Sequence, residues 1–337
     1  MTIKDIARQS GFAVSTVSRA LNNHPDVSEA TKAKIRAVVE AHKFVPNSNA
    51  RQLKQQAAVG IAILVKGTNN MLFSSILEQM QSLIKKSDYA AMVSYLDEEA
   101  DEVQQAIQIC REQKPLGLIF LGGSLVNFRA HFRAIQIPCV LVTNSAEALK
   151  FSNLSSVSTD DTAGAACAVD YLIEQGHRTI GILGGNPELS FTSLLRLQGC
   201  KSSFSAHNLA FDEQLQFEKS RFSYTSAYMA MNRLLKKMPN LTSVITMGDV
   251  MAIGAIRALI DQGKRVPDDI SVIGFDGIEL AEYYNPKLAT VKQSQTQLAS
   301  RGVEILLDCI ERNAQAVHEI VPFELVKGES VKQICSK

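Results

Sequence analysis

Three side chains near the front of this 337-residue chain are suited to reading another molecule: Val14, Ser15 and Arg19. With Ser18 they share one face of a short helical pattern whose other face is Val17, Ala20 and Leu21. A guanidinium at Arg19 can bond the O6 and N7 atoms of a guanine together, or it can hold a phosphate; both readings stand. Thr2, Thr16 and Asn22 carry short polar groups suited to phosphate contacts, which fix register without reading sequence. A second set of polar groups follows apolar runs later in the chain. Asn144 follows 139–143, Asp249 follows 243–247, Asp276 follows 270–275, and Asp160 stands between a short strand and a helix. Ligands of open α/β sheets bind beyond the carboxyl ends of the strands, and carboxylates and amides are good acceptors for hydroxyl groups. Asp160 and Asp249 fit helix caps equally well.

The elements that position the first set are short helices. Thr2 can cap one of them, on which Ile3, Ile6 and Ala7 form an apolar stripe, and Gly11 comes where that helix must stop. The small Ala7 lets the next helix cross closely. This is the pattern of a helix-turn-helix, whose second helix lies in the DNA major groove; taken alone it also fits an αα-hairpin that binds nothing. A third amphipathic helix is expected from Ser28 to His42, with Ala30, Ile35, Val38 and Val39 inward and Lys32, Lys34 and Arg36 outward. Residues 1–56 hold nine Lys and Arg against four acids, a net +5, which leaves −4 for the remainder. A basic arm on a mildly acidic body suits a phosphate-facing module joined to a domain for a neutral ligand.

The second set needs parallel sheets. Apolar runs at 59–65, 90–96, 116–121 and 139–143 alternate with helical patterns, as strands buried on both faces do. A polar stretch over 146–158 follows. Further strands are expected at 180–185, 215–217, 243–247 and 270–275, with helices between them at 194–205, 224–235 and 250–262. Two doubly wound α/β halves result.

Several functions are excluded by what is missing. There is no G-x-S-x-G, H-E-x-x-H or P-loop, and the glycines at 181–185 lack the dinucleotide fingerprint, so no enzyme activity and no cofactor are expected. The six histidines are scattered without metal-ligand spacing, and no metal is expected. None of the six cysteines forms a C-x-x-C pair, which suits buried thiols in a reducing compartment. The front of the chain has no apolar signal-like run, and 59–65 is far too short to span a membrane, so a cytoplasmic protein is expected.

The run D-I-A, then T-V-S-R-A-L-N, then V-P-N and A-R-Q-L (5–53) resembles the headpiece and hinge of the lactose- and galactose-repressor family of bacterial transcription regulators. The likeness continues through E-Q-G-H-R-T-I-G, G-D-V-M-A-I-G-A, V-P-D-D-I-S-V-I-G-F-D and P-K-L-A-T-V, and so covers nearly the whole chain. It implies an all-α helix-turn-helix headpiece over 1–46 and a hinge over 47–57. It also implies a ligand-binding and dimerisation core over 58–337, built like periplasmic sugar-binding proteins. One core lobe would take about 58–159 and 292–320, the other about 160–290 and 321–337.

By the same resemblance Val14, Ser15 and Arg19 face base edges. Asn47 caps a hinge helix carrying Ala50, Leu53 and Lys54, and Leu53 wedges into the minor groove. Arg196, opening its helix, matches the family's ligand-binding arginine; Phe73 and Phe222 match positions where an aromatic packs on the ligand. The implied partners are double-stranded DNA with a pseudo-palindromic operator, a second copy of the chain, and a sugar-like effector rather than a purine. Release of DNA by that effector is the expected arrangement. Two departures stand out: Ala13 where a capping Ser or Thr is usual, and Phe44 where a Tyr is common. A sugar receptor without a DNA role is the competing reading; an oxidoreductase or kinase has no motif to support it.

Overall fold

The computed structural model describes residues 3–21, 26–42, 60–67 and 70–334. Thr2, Asn22, Phe44, Asn47, Ala50, Leu53 and Lys54 lie outside the described residues. The chain divides into two compact units, 1–58 and 59–337.

The first unit holds helices Ile3–Ser10, Val14–Leu21 and Glu29–Ala41. Gly11 takes a positive φ of 74° and donates its N–H to the Ala7 carbonyl, which closes the first helix. Ala13 offers no side-chain acceptor; its carbonyl accepts from Val17 N, and the second helix starts at Val14. Ser28 caps the third helix, its hydroxyl accepting from Thr31 N at 3.3 Å. Ile6, Ala7, Val17, Ala20, Val27 and Ile35 form the shared core, with Val38 and Val39 packed against it.

Two positions of the third helix depart from expectation. Ala30 is exposed, and Lys32 is buried, at 5% exposure. Lys32 precedes Ile35 by three residues and so lies on its face. Its aliphatic stem covers the core while its ammonium donates to Glu29 at 2.8 Å.

The second unit contains two six-stranded sheets. The strands are β1 (Gly60–Lys66), β2 (Ala90–Leu96), β3 (Gly117–Leu121), β4 (Cys139–Val142), β5 (Leu154–Thr159), β6 (Ile180–Gly184), β7 (Phe217–Lys219), β8 (Ser243–Thr246), β9 (Ser271–Asp276), β10 (Ala289–Gln293), β11 (His318–Val321) and β12 (Phe323–Val326). The first sheet runs β11-β5-β4-β3-β1-β2, all parallel. The second runs β12-β10-β9-β8-β6-β7, with β12 antiparallel to β10. Strands β3, β4, β6 and β8 are buried throughout, as helices on both sheet faces require. The chain crosses between lobes after β5, after β10 and between β11 and β12.

The short strand expected before Asp160 is present as β5, and two other local expectations are corrected. The polar stretch over 146–158 contains most of the buried strand β5. Its hydroxyls have partners inside: Ser156 Oγ accepts from Ala146 N, Ser155 Oγ accepts from Val317 N, and Thr159 Oγ1 donates to Gln293. The strand expected at 215–217 instead begins at Phe217, after a short helix over Glu213–Gln216 capped by Asp212. The helix expected from 194 begins at Phe191, capped by Ser190, so Arg196 lies in its second turn.

Candidate functional site

In the first unit Val14, Ser15 and Arg19 are all exposed, and Thr16 is half-buried. Val17 and Ala20 turn inward, so the core fixes which face of the helix Val14–Leu21 stays free. Arg19 Nη1 donates to Asp26 at 2.9 Å in an exposed pair, which holds the guanidinium ready but gives it up cheaply, because water and salt compete for it.

In the second unit the carboxyl ends of the strands in both sheets open onto one interlobe cavity of about 380 Å³. Phe73, Asn144, Arg196, Phe222 and Asp276 line it. Its floor is a buried charge cluster. Arg196 Nε donates to Asp161 Oδ1 at 2.7 Å and Nη1 to the Met247 carbonyl at 2.6 Å, with Asp276 Oδ1 3.5 Å away. The guanidinium carbon stands 3.7 Å from the centre of the Phe275 ring. Arg196 is 4% exposed, and its Nη2 has no protein acceptor among the described residues.

Asp276 ends β9 with a φ of 114°, a conformation costly for a side chain with a Cβ. Gln293 Nε2 donates to its Oδ1 at 2.8 Å, while Gln293 Oε1 accepts from Thr159 at 2.8 Å. This chain of bonds joins the second lobe's strand end to the first lobe's β5. Across the cavity Thr143 directly follows β4 with a φ of 80°, unusual for a β-branched residue. Asn144 Nδ2 donates to the Gly123 carbonyl at 2.7 Å, and its Oδ1 accepts from Thr192 across the lobes at 3.2 Å. Phe73 lies against Gly122, where a Cβ would come within 2.8 Å of the ring. Phe222 packs in the same way on Gly185.

Burial drives the titration of the floor. Asp161 is pushed up to about 6 by desolvation, with Arg196 pulling the other way. Asp276 is raised for the same first reason and is likewise drawn down by Arg196. Asp249 is raised well above the carboxylate range by burial and then by the nearby Asp276 charge.

Two acids expected in the cavity do not line it. Asp160 is exposed and caps the helix Asp161–Glu174, accepting from Ala163 N at 2.9 Å. Asp249 is fully buried beneath the strand ends. It accepts from Thr290 Oγ1 at 2.7 Å and from Ile278 N at 2.9 Å, and so braces the turn that carries Asp276.

Other lining residues were not singled out from sequence: Lys66, Asn186, Arg221 and Gln293. Lys66 and Gln293 end β1 and β10, so the strand-end rule applied to Asp276 reaches them too. Arg221 has no such signal. It spans the mouth of the cavity, its Nη2 2.9 Å from Asp97 Oδ1 and its Nε 2.6 Å from Glu98. These carboxylates, chiefly through hydrogen bonds, raise its pKa above the ordinary arginine value.

Comparison with known proteins agrees with both units. The family model for "Bacterial regulatory proteins, lacI family" matches residues 2–47, and that for "Periplasmic binding protein-like domain" matches 169–331. The HTH-type transcriptional regulator MalR of Clostridium butyricum is 37% identical over 98% of this chain and 99% of its own. The chain belongs to the lacI family of bacterial regulatory proteins. This LacI-family protein is a DNA-binding transcriptional regulator. The ribose operon repressor of Haemophilus influenzae is 32% identical, covering 92% of each chain. A crystal structure of the Lac repressor dimer bound to operator and an anti-inducer is 25% identical and covers 98% of this chain and 99% of its own, with a TM-score of 0.79. Among the described residues of the LacI-family chain, no helix is long and apolar enough to cross a membrane, and no group of three or more potential ligands could hold a metal ion.

Proposed function

We propose that this protein is a cytoplasmic, homodimeric repressor that binds a pseudo-palindromic operator and releases it when a sugar-like effector enters the interlobe cavity. The observation that carries the effector class is the floor. Arg196 is locked in place with Nη2 unpaired, beside Asp276, whose Oδ2 accepts no hydrogen bond among the described residues. A fixed donor next to a fixed acceptor matches vicinal hydroxyl groups, each of which both donates and accepts. Phe73 and Phe222 add apolar surface for the C–H faces of a ring. The relative named a ribose operon repressor points the same way.

In this reading 1–46 form the headpiece, 47–57 the hinge and 58–337 the core. Val14, Ser15 and Arg19 read bases. Thr2, Thr16, Asn22 and Asn47 hold the backbone, and Ala50, Leu53 and Lys54 enter the minor groove. A ligand touching both lobes favours one lobe arrangement. A coupling of ~1–3 kcal/mol then changes operator affinity about 5–150-fold.

Fluorescence anisotropy on a labelled fragment from upstream of the protein's own gene tests this, over a salt series and with sugars and purines added. Tight, salt-sensitive, competitor-resistant binding that a sugar weakens is the expected result. Weak binding that is equal on any DNA and untouched by every compound would refute it. In the same assay Arg19→Ala loses discrimination at one operator base by ~1–3 kcal/mol; an unchanged sequence preference removes Arg19 from base reading.

A further inference from the structure

We infer that Lys66, held by the buried carboxylate of Glu102, is a specificity-determining donor in the first-lobe wall of the cavity, and that it selects an uncharged, hydroxyl-rich ligand over a phosphorylated or acidic one. The inference rests on the cavity being the effector site.

Lys66 ends β1 and lines the cavity. Its side chain is only 10% exposed, and its Nζ donates to Glu102 Oε2 at 2.5 Å. Glu102 is completely buried in the first turn of the helix Glu102–Gln113. It also accepts from Ser124 N at 2.5 Å and from Asn127 Nδ2 at 2.9 Å. Gly123, where a Cβ would meet Phe128 at 2.9 Å, lets this turn sit against the carboxylate. A buried ion pair contributes little net stability compared with apolar side chains of the same shape, so stability alone does not account for this one.

What the pair achieves is placement. Glu102 is the one acceptor for the Lys66 ammonium among the described residues, which leaves donors of a nine-tenths buried group for the cavity it lines. Glu102 also cancels its charge. The other cations of the wall are matched as well, Arg196 by Asp161 and Asp276, Arg221 by Asp97 and Glu98. Glu99 adds a further acid to the lining. The cavity therefore offers strong donors in a field that is negative overall, which disfavours an anion and suits hydroxyl oxygens.

The test is calorimetric titration of the full chain with glucose, ribose, maltose and cellobiose, and with the phosphate ester and uronate of whichever sugar binds. Lys66→Met with Glu102→Gln removes both charges and leaves no bare buried carboxylate; a thermal melt without ligand verifies that it folds. This double variant is expected to bind the neutral sugar about 10–100-fold more weakly, as loss of a bond from a charged donor implies. Glu102→Gln alone leaves the ammonium uncompensated and is expected to raise affinity for the phosphate ester relative to the neutral sugar, a change that a merely structural pair would not produce. A folded double variant with unchanged affinity, or a wild type that prefers the anionic analogue, overturns this inference alone. A wild type that binds none of the sugars overturns both this inference and the sugar reading of the cavity.

Discussion

Two charge clusters of the cavity, one within the second lobe at the floor and one joining the lobes at the mouth, differ in almost every physical respect. At the floor, Arg196 and Asp161 are 4% and 3% exposed along their side chains, and the guanidinium is fixed by Asp161, by the Met247 carbonyl and by packing on Phe275. At the mouth, Arg221 and Asp97 are 46% and 63% exposed. Similar ions at similar distances thus sit in different dielectrics. Removing one buried partner strands the other charge, whereas removing one exposed partner returns the other to water. The floor is held in place by burial; the mouth is a contact that water and salt can loosen.

The sharpest way to break this comparison is Arg196→Met. It leaves Asp161 and Asp276 buried without their cation, and is expected to cost ~3–5 kcal/mol of stability in a denaturant melt and to abolish the response to effector. A loss below about 1 kcal/mol would mean that the floor is as wet as the mouth.

A smaller effect concerns pH. Burial raises Asp161 to about 6, so the folded protein holds that proton where the unfolded chain has lost it. The stability from this group is present below the ordinary aspartate range and is lost as pH rises towards about 6. Asp161→Asn should flatten the pH dependence of the melt between about 4 and 6. An unchanged slope would place the titration elsewhere. The smallest effect is expected for Arg221→Ala. Stability should hardly change, and effector affinity should lose part of its salt dependence. A large drop in stability would show that the mouth is dry and structural.

Much of this was legible in order along the chain. The alternation of apolar runs and helical patterns indicated two α/β lobes, because a strand buried on both faces has to be a continuous apolar run. The stripe of Val17 and Ala20 fixed the free face of the helix bearing Arg19. Strand-end logic reached Asn144 and Asp276, since the position of a strand's end is a local property. The same logic misplaced Asp160 and Asp249. Whether an acid at a strand end faces a ligand, caps a helix or braces a turn depends on backbone direction over one residue, and composition does not carry that.

Sequence by itself determined the family, the order of elements and the split between a basic headpiece and an acidic core, because these follow from motif, periodicity and charge. Only the tertiary structure decided which charges meet. Arg196 pairs with Asp161, Arg221 with Asp97 and Lys66 with Glu102, across separations of 35, 124 and 36 residues. It also buried Lys32 and Ser156, which composition would leave in water. The reason is that burial and pairing are properties of packed surfaces. A polar side chain's role is set by what the fold brings against it.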